Sequence, residues 1–176
     1  MEMTEPMFQI RLVALPAFLL SLILVTVAPL HADDTAPRIR IVQWNVENLF
    51  DTLDDPDNEG DDEFTPSEWR HWNEWRYRKK LRHLAEVFAE LKGDIVCLQE
   101  VENRRVIDDL RKTMKSRHGM VYPYIVHRDG EDHRGIDVAM LSRFEPVKTR
   151  RLTPVEEQRD ILVVTMKPFG KSLTVL

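Results

Sequence analysis

The sequence predicts a layered α/β domain with a mixed sheet. Apolar strand-like runs and helical periodicities follow one another as strand, helix, strand, helix and then strands alone, an order that suits a sheet covered by helices. The composition agrees. Of 176 residues, 43% are apolar and 31% charged, with a formal net charge of −5 and a single cysteine. Such a chain suits one domain with a real core, and excludes a disordered tail, a disulfide-built miniprotein and a many-domain giant.

The amino end reads as an export signal over residues 1–32. Arg11 precedes an uncharged apolar run over 13–30, and Ala28-Pro-Leu-His-Ala32 precedes Asp33-Asp34, so cleavage is expected after Ala32. The competing reading is an uncleaved membrane anchor, because the apolar run is long for a signal core. A secreted or periplasmic protein with no stable membrane association after cleavage follows from the first reading. Residues 33–37 form a linker. Cys97 stands alone in an apolar run and reads as a buried packing thiol with no redox role.

Residues 38–45 alternate polar and apolar before turning apolar, the mark of a strand entering a core. Residues 51–63 hold Pro56, Asn58 and Gly60 among their acids and read as loop. Thr65-Pro-Ser-Glu68 then resembles an N-cap, a proline at the first helical position and a capping-box glutamate. Trp69, Trp72, Leu81, Leu84, Val87 or Phe88, and Leu91 follow at helical spacing until Gly93. Residues 94–100 form a short buried strand ending in polar groups. A second helix is expected over 102–116, with Val106, Leu110 and Met114 on one side. Strands are then expected at 124–128, 136–142, 161–166 and 172–176. The last run stops inside an apolar strand with no polar terminus, so the domain reads as truncated.

Charge is segregated along the chain. Eight acids and no base lie between Asp51 and Glu63, whereas six bases face only Glu74 between Arg70 and Arg82. Mild overall acidity therefore does not exclude a polyanionic substrate, although a solvated helix face explains the basic run more simply. The acidic loop lacks the spacing of an EF-hand and reads as solvated. Trp69, Trp72 and Trp75 among these bases suit either a nucleic-acid surface or, for Trp69 and Trp72, the core.

Two strand ends carry the chemistry: Trp44-Asn-Val-Glu-Asn48 and Cys97-Leu-Gln-Glu-Val-Glu102. Ligands bind at the carboxyl ends of strands in open α/β sheets. A carboxylate beside an amide, with no histidine or cysteine cluster, favours an oxygen-seeking ion such as Mg²⁺ or Mn²⁺ over zinc. The plainer alternative is that Glu100 caps the following helix and Asn45 makes a turn.

Gln43-Trp-Asn-Val-Glu-Asn-Leu-Phe50 and Asp94-Ile-Val-Cys-Leu-Gln-Glu-Val101 closely resemble the first two motifs of the endonuclease/exonuclease/phosphatase family. Arg134-Gly-Ile-Asp-Val-Ala-Met140 is similar to its third signature strand, and residues 153–164, with Arg159-Asp-Ile-Leu162, to the strand bearing a phosphate-binding arginine. Asp61-Asp-Glu-Phe-Thr-Pro66 before a tryptophan-bearing helix is similar to secreted bacterial members. The resemblance implies a four-layer α/β sandwich of the deoxyribonuclease I-like type, present over residues 38–176 as its amino-terminal part. It makes Glu100 the principal metal ligand, Asn45 a group orienting metal or phosphate, Glu47 a lesser ligand and Arg159 a phosphate holder. Arg159 also has Glu156, Glu157 and Asp160 near in sequence as ordinary ion-pair partners. Asp137 is expected to support the sheet.

The family's remaining catalytic histidines, aspartates and asparagine belong to positions after Leu176. His71, His83, His118, His127 and His133 read as surface or loop residues. The expected activity is Mg²⁺-dependent hydrolysis of a phosphodiester or phosphomonoester outside the cytoplasm, nucleic acid being one such substrate. As a fragment the chain is expected to be poorly folded and inactive; the alternative is a non-catalytic remnant or binding module of the same fold.

Overall fold

The computed structural model describes residues 37–56, 58–130, 132–153 and 160–176. The expected signal peptide, the cleavage site, most of the 33–37 linker and Arg159 lie outside them. No helix among the described residues is long and apolar enough to cross a membrane.

Among the described residues, two sheets and two α-helices build the domain. The first sheet contains β1 (Ile41–Leu49), β2 (Ile95–Val101), β3 (Tyr124–His127) and β4 (Asp137–Ser142), in the order β1-β2-β4-β3. β1 and β2 are parallel, joined through α1 (Glu74–Leu91); β4 runs antiparallel to both β2 and β3. α2 (Arg104–His118) follows β2. The second sheet is antiparallel, β5 (Pro146–Leu152), β6 (Ile161–Met166) and β7 (Leu173–Val175) in that order.

The period-2 alternation of β2 and β4 sorts their side chains onto two faces. Val96, Leu98, Ala139 and Leu141 join Val42 and Val46 under Leu81, Phe88, Ile107 and Leu110 of the helices. Ile95 and Met140 point the other way and meet Leu162, Val164 and Met166 of the second sheet. The described residues therefore form three layers: helices, mixed sheet and antiparallel sheet. A third, smaller cluster stacks Phe50 on Phe64 at 4.1 Å between centroids, with Ile136 and the edge of Trp72 against them.

Several sequence expectations change. α1 begins at Glu74, because Asn73 and not Thr65 is the cap: its side chain accepts the Arg76 N–H. The Thr65 hydroxyl instead donates to the Asp62 carbonyl, and Trp72 N–H returns to the Thr65 carbonyl, closing residues 65–72 into a loop. Trp69, freed from the helix, is 66% exposed rather than core. Lys92, at φ 52, ends α1 in the left-handed conformation one residue before the expected Gly93. β5 had not been expected, and a 3-10 turn at Asp62–Phe64 interrupts the acidic loop. His127 lies on β3 with its side chain only 4% exposed and bonded to Asp137.

Cys97 packs against the inter-sheet cluster, and burial pushes its thiol up to about 11. At pH 8 that leaves about a hundredfold less thiolate than an ordinary cysteine holds. Ellman's reagent should accordingly label the folded chain about a hundredfold more slowly than the denatured chain, with the rate rising about tenfold per pH unit. The raised value also means that the folded state retains the proton longer, so this thiol lowers stability only as pH rises from about 9 to about 11. Equal labelling of folded and denatured chains would contradict both statements.

Candidate active site

The parallel ladder of β1 and β2 runs in register to Asn45 and Gln99, breaks, and resumes at Leu49 and Val101. On the far side of β2, Gln99 pairs with Val138 and Val101 with Asp137, so Glu100 is the bulged residue of that ladder. A bulge re-aims a side chain and ends regular pairing. Here it coincides with positive φ at three non-glycine residues: Glu47 at 53°, Asn48 at 63° and Glu100 at 64°. Each such residue costs on the order of 1–3 kcal/mol and persists only where its surroundings hold it.

What holds them is a set of specific bonds. The Asn45 amide nitrogen donates to Glu100 Oε1 at 3.0 Å, while its amide oxygen accepts the Glu47 N–H at 2.8 Å. One side chain thus joins the two strand ends and folds its own strand into a tight turn. From α1, the Lys80 ammonium donates to the carbonyls of Glu47 at 2.5 Å and Asn48 at 3.0 Å. Arg134 reaches the Asn48 side-chain oxygen at 2.5 Å. Burial drives the Lys80 ammonium down to about 8 against the opposing pull of Glu47 and Glu100.

The capping alternative for Glu100 is settled by Asn103, whose side chain accepts the N–H groups of Arg105 and Val106 at the start of α2. Glu102 supports the bulge from behind: its Oε2 accepts the Asp51 N–H at 2.6 Å, and its own N–H reaches the Leu49 carbonyl at 3.1 Å. Burial, with the nearby Asp51 and Asp61 charges adding to it, pushes the Glu102 carboxyl up to about 8. Asp137 accepts from His127 and from the Gly130 N–H, which fixes the loop entering β4.

Asn45, Glu47 and Glu100 are therefore brought to one place, whereas Arg159 lies outside the described residues. Lys80 and Arg134 are neighbours of this place that sequence reasoning missed. Lys80 sits three residues after buried Tyr77 and beside buried Leu81, so its position flanking the apolar stripe was the available signal. Beside the bulge, Trp44 and Glu47 face Trp75, Arg76, Lys79 and His83 across a cavity of about 750 Å³. Trp75 and Trp44 are 63% and 41% exposed, so this groove offers both aromatic faces and cations. The ligand atoms that Asn45, Glu47 and Glu100 offer at the bulge are oxygens, and Glu100 belongs to neither of the two clusters among the described residues, His127–Asp129–Asp137 and Asp54–Asp61–Asp62. That set fits a hard cation held through Glu100 with Glu47 nearby, Asn45 steering the Glu100 carboxylate.

Lys80→Met should leave the carbonyls of Glu47 and Asn48 without this donor. The expected result is a destabilisation of about 1.5–3 kcal/mol, the range for hydrogen bonds to charged groups, read from the urea midpoint at unchanged slope. A midpoint equal to that of the unaltered chain would show that the ammonium does not support the bulge.

The profile of the Endonuclease/Exonuclease/phosphatase family matches residues 40–172. No curated protein matches the chain. Among solved structures the chain is similar to an endonuclease/exonuclease/phosphatase family protein from Leptotrichia buccalis C-1013-b, with a TM-score of 0.53 and 16% identity over 78% of this chain and 52% of that one. It also matches TDP2 from Caenorhabditis elegans, with a TM-score of 0.49 and 15% identity over 77% of this chain and 33% of that one. The chain thus spans about half the length of the first of these structures. Its mixed α/β layers are part of a deoxyribonuclease I-like fold, and the chain belongs to the endonuclease/exonuclease/phosphatase family.

Proposed function

We propose that this chain supplies the metal-holding half of a phosphoesterase site that hydrolyses phosphodiester or phosphomonoester bonds. The observation that carries the reading is the Asn45–Glu100 hydrogen bond at the paired ends of two parallel strands, on backbone held in a sparsely populated conformation. Strain of this kind concentrates where geometry matters more than stability. Export to the periplasm or beyond, read from residues 1–32, is part of the proposal.

In this reading Glu100 holds a Mg²⁺ or Mn²⁺ ion, with Glu47 as a secondary ligand. The ion, when bound, neutralises a phosphate oxygen and the developing charge on the leaving oxygen. Asn45 keeps the Glu100 carboxylate in one orientation, so that no reorganisation is needed during reaction. Lys79 and Arg76 hold flanking phosphates in the groove, and Trp75 offers a flat face to a base or other planar group. Arg159 takes a phosphate oxygen with its planar fork. The remaining acid–base groups come from the other half of the domain.

The activity test uses the chain joined to the carboxyl-terminal half of a family relative, with bis(p-nitrophenyl) phosphate and Mg²⁺ or Mn²⁺. Glu100→Gln should lower turnover by at least about a hundredfold, the scale expected when a group stabilising transition-state charge is lost. Asn45→Ala should lower it less, by about tenfold or more, since the carboxylate remains. Metal-dependent turnover that survives Glu100→Gln would overturn the assignment.

A further inference from the structure

The acidic loop between β1 and α1 contains a group that the site does not use. Asp61 is only 1% exposed. Its Oδ2 accepts the Asp55 N–H at 3.0 Å, but its Oδ1 is buried and has no hydrogen-bond partner. Burial raises its carboxyl above the usual carboxylate range, and the Asp54 and Asp55 charges add to that rise. A buried carboxylate in that position is strongly unfavourable unless something positive meets it.

The surroundings supply the remaining donors. One carboxylate oxygen from each of Asp54, Asp61 and Asp62 lies within 4.8 Å of the others, Asp54 and Asp62 being exposed and Asp61 buried. An adjoining cavity of about 340 Å³ is lined by Asp54 and Asp62 with Thr65, Ser67 and Glu68, all oxygen-bearing. We propose that Asp54, Asp61 and Asp62 form a Ca²⁺ site, the orphaned Asp61 oxygen being its inner ligand. Calcium fits better than magnesium because it takes about 6–8 oxygens in irregular geometry, which loop carboxylates, hydroxyls and water provide. The site is separate from Glu100, and does not depend on the proposed hydrolysis.

Its effect is to pin the loop. Gly60 precedes Asp61, and a Cβ there would lie 2.3 Å from the Arg134 carbonyl oxygen, so the two backbones touch. Arg134 in turn holds Asn48 at the strained bulge. Calcium in the loop therefore stabilises the contact from which Arg134 reaches the strand end.

The test uses the full chain freed of metal with EDTA. Trp69 donates to Glu63, the neighbour of Asp62, so it is placed to sensitise terbium luminescence from this site. Terbium should give tryptophan-sensitised emission that Ca²⁺ displaces with an apparent Kd of about 0.1–1 mM, as in weak extracellular sites. About 10 mM Ca²⁺ should raise the Tm by about 4 °C or more, and equal Mg²⁺ by less than half of that. Asp61→Asn should abolish the Tm shift and weaken Ca²⁺ displacement at least about tenfold, measured in a Glu100→Gln background so that an ion at the strand ends does not contribute; that background by itself should keep the Ca²⁺ response. Asp54→Asn, at an exposed position, should do the same as Asp61→Asn and serves if the buried variant does not fold. Absence of emission and of a Tm shift would overturn the proposal, as would survival of the Ca²⁺ response in Asp54→Asn or its loss in Glu100→Gln.

Discussion

Asn45 bridges the place where β1 and β2 stop being a regular ladder, and the surrounding structure is arranged to keep that bridge. Its amide spends one end on Glu100 and the other on Glu47 N–H. Both strands can then leave the ladder together without separating. Lys80 arrives from the helix layer and Arg134 from the loop before β4, so two cations from separate segments secure the bulge. The two hydrophobic clusters make this possible, since they fix α1 on one face of β2 and β6 on the other.

Local strain and buried charge recur together in this molecule. Glu47, Asn48 and Glu100 hold positive φ, while Glu102 and Asp61 are buried carboxyls a short way behind them. Their opposite numbers are cations, Lys80 and Arg134, which act through backbone and amide oxygens rather than through simple carboxylate pairs. The segregation of acids and bases along the sequence thus becomes an arrangement across the sheet end. Arg70 makes a conventional pair with the loop, through Glu63 at 2.8 Å.

The sequence made the central elements legible where one physical pattern acted alone. β2 opens on a short apolar run and β6 is apolar but for Thr165, and both sit where the pattern placed them, within a residue at each end. α1 misled at its start because Thr65-Pro-Ser-Glu68 satisfies the local capping rules, yet competing bonds from Thr65 to Asp62 and from Trp72 back to Thr65 draw that segment into a loop. β5 carries Lys148, Arg150 and Arg151 on an exposed edge, where charge discourages wrong pairing and also erases the alternation that signals a strand. At the site, the motif residues Asn45 and Glu100 were readable because strand ends concentrate ligands. Lys80 was not, since its role depends on where the helix lands. His127 was misjudged for a similar reason: only the packing of β3 against β4 shows that it is buried.

The parallel pairing of β1 with β2 also sets the order in which the molecule can assemble. Asn45 and Glu100 are 55 residues apart, and Arg134 and Asn48 are 86 apart. α1 and α2 can begin to form from contacts within a few turns of chain, but the bulge has no local precursor. Loops of that length must close before any of its bonds are made, and contacts so remote in sequence slow folding. During that interval β1 offers an unpaired edge that carries Trp44, so the segment with the most demanding geometry is also the one exposed longest to association with another nascent chain.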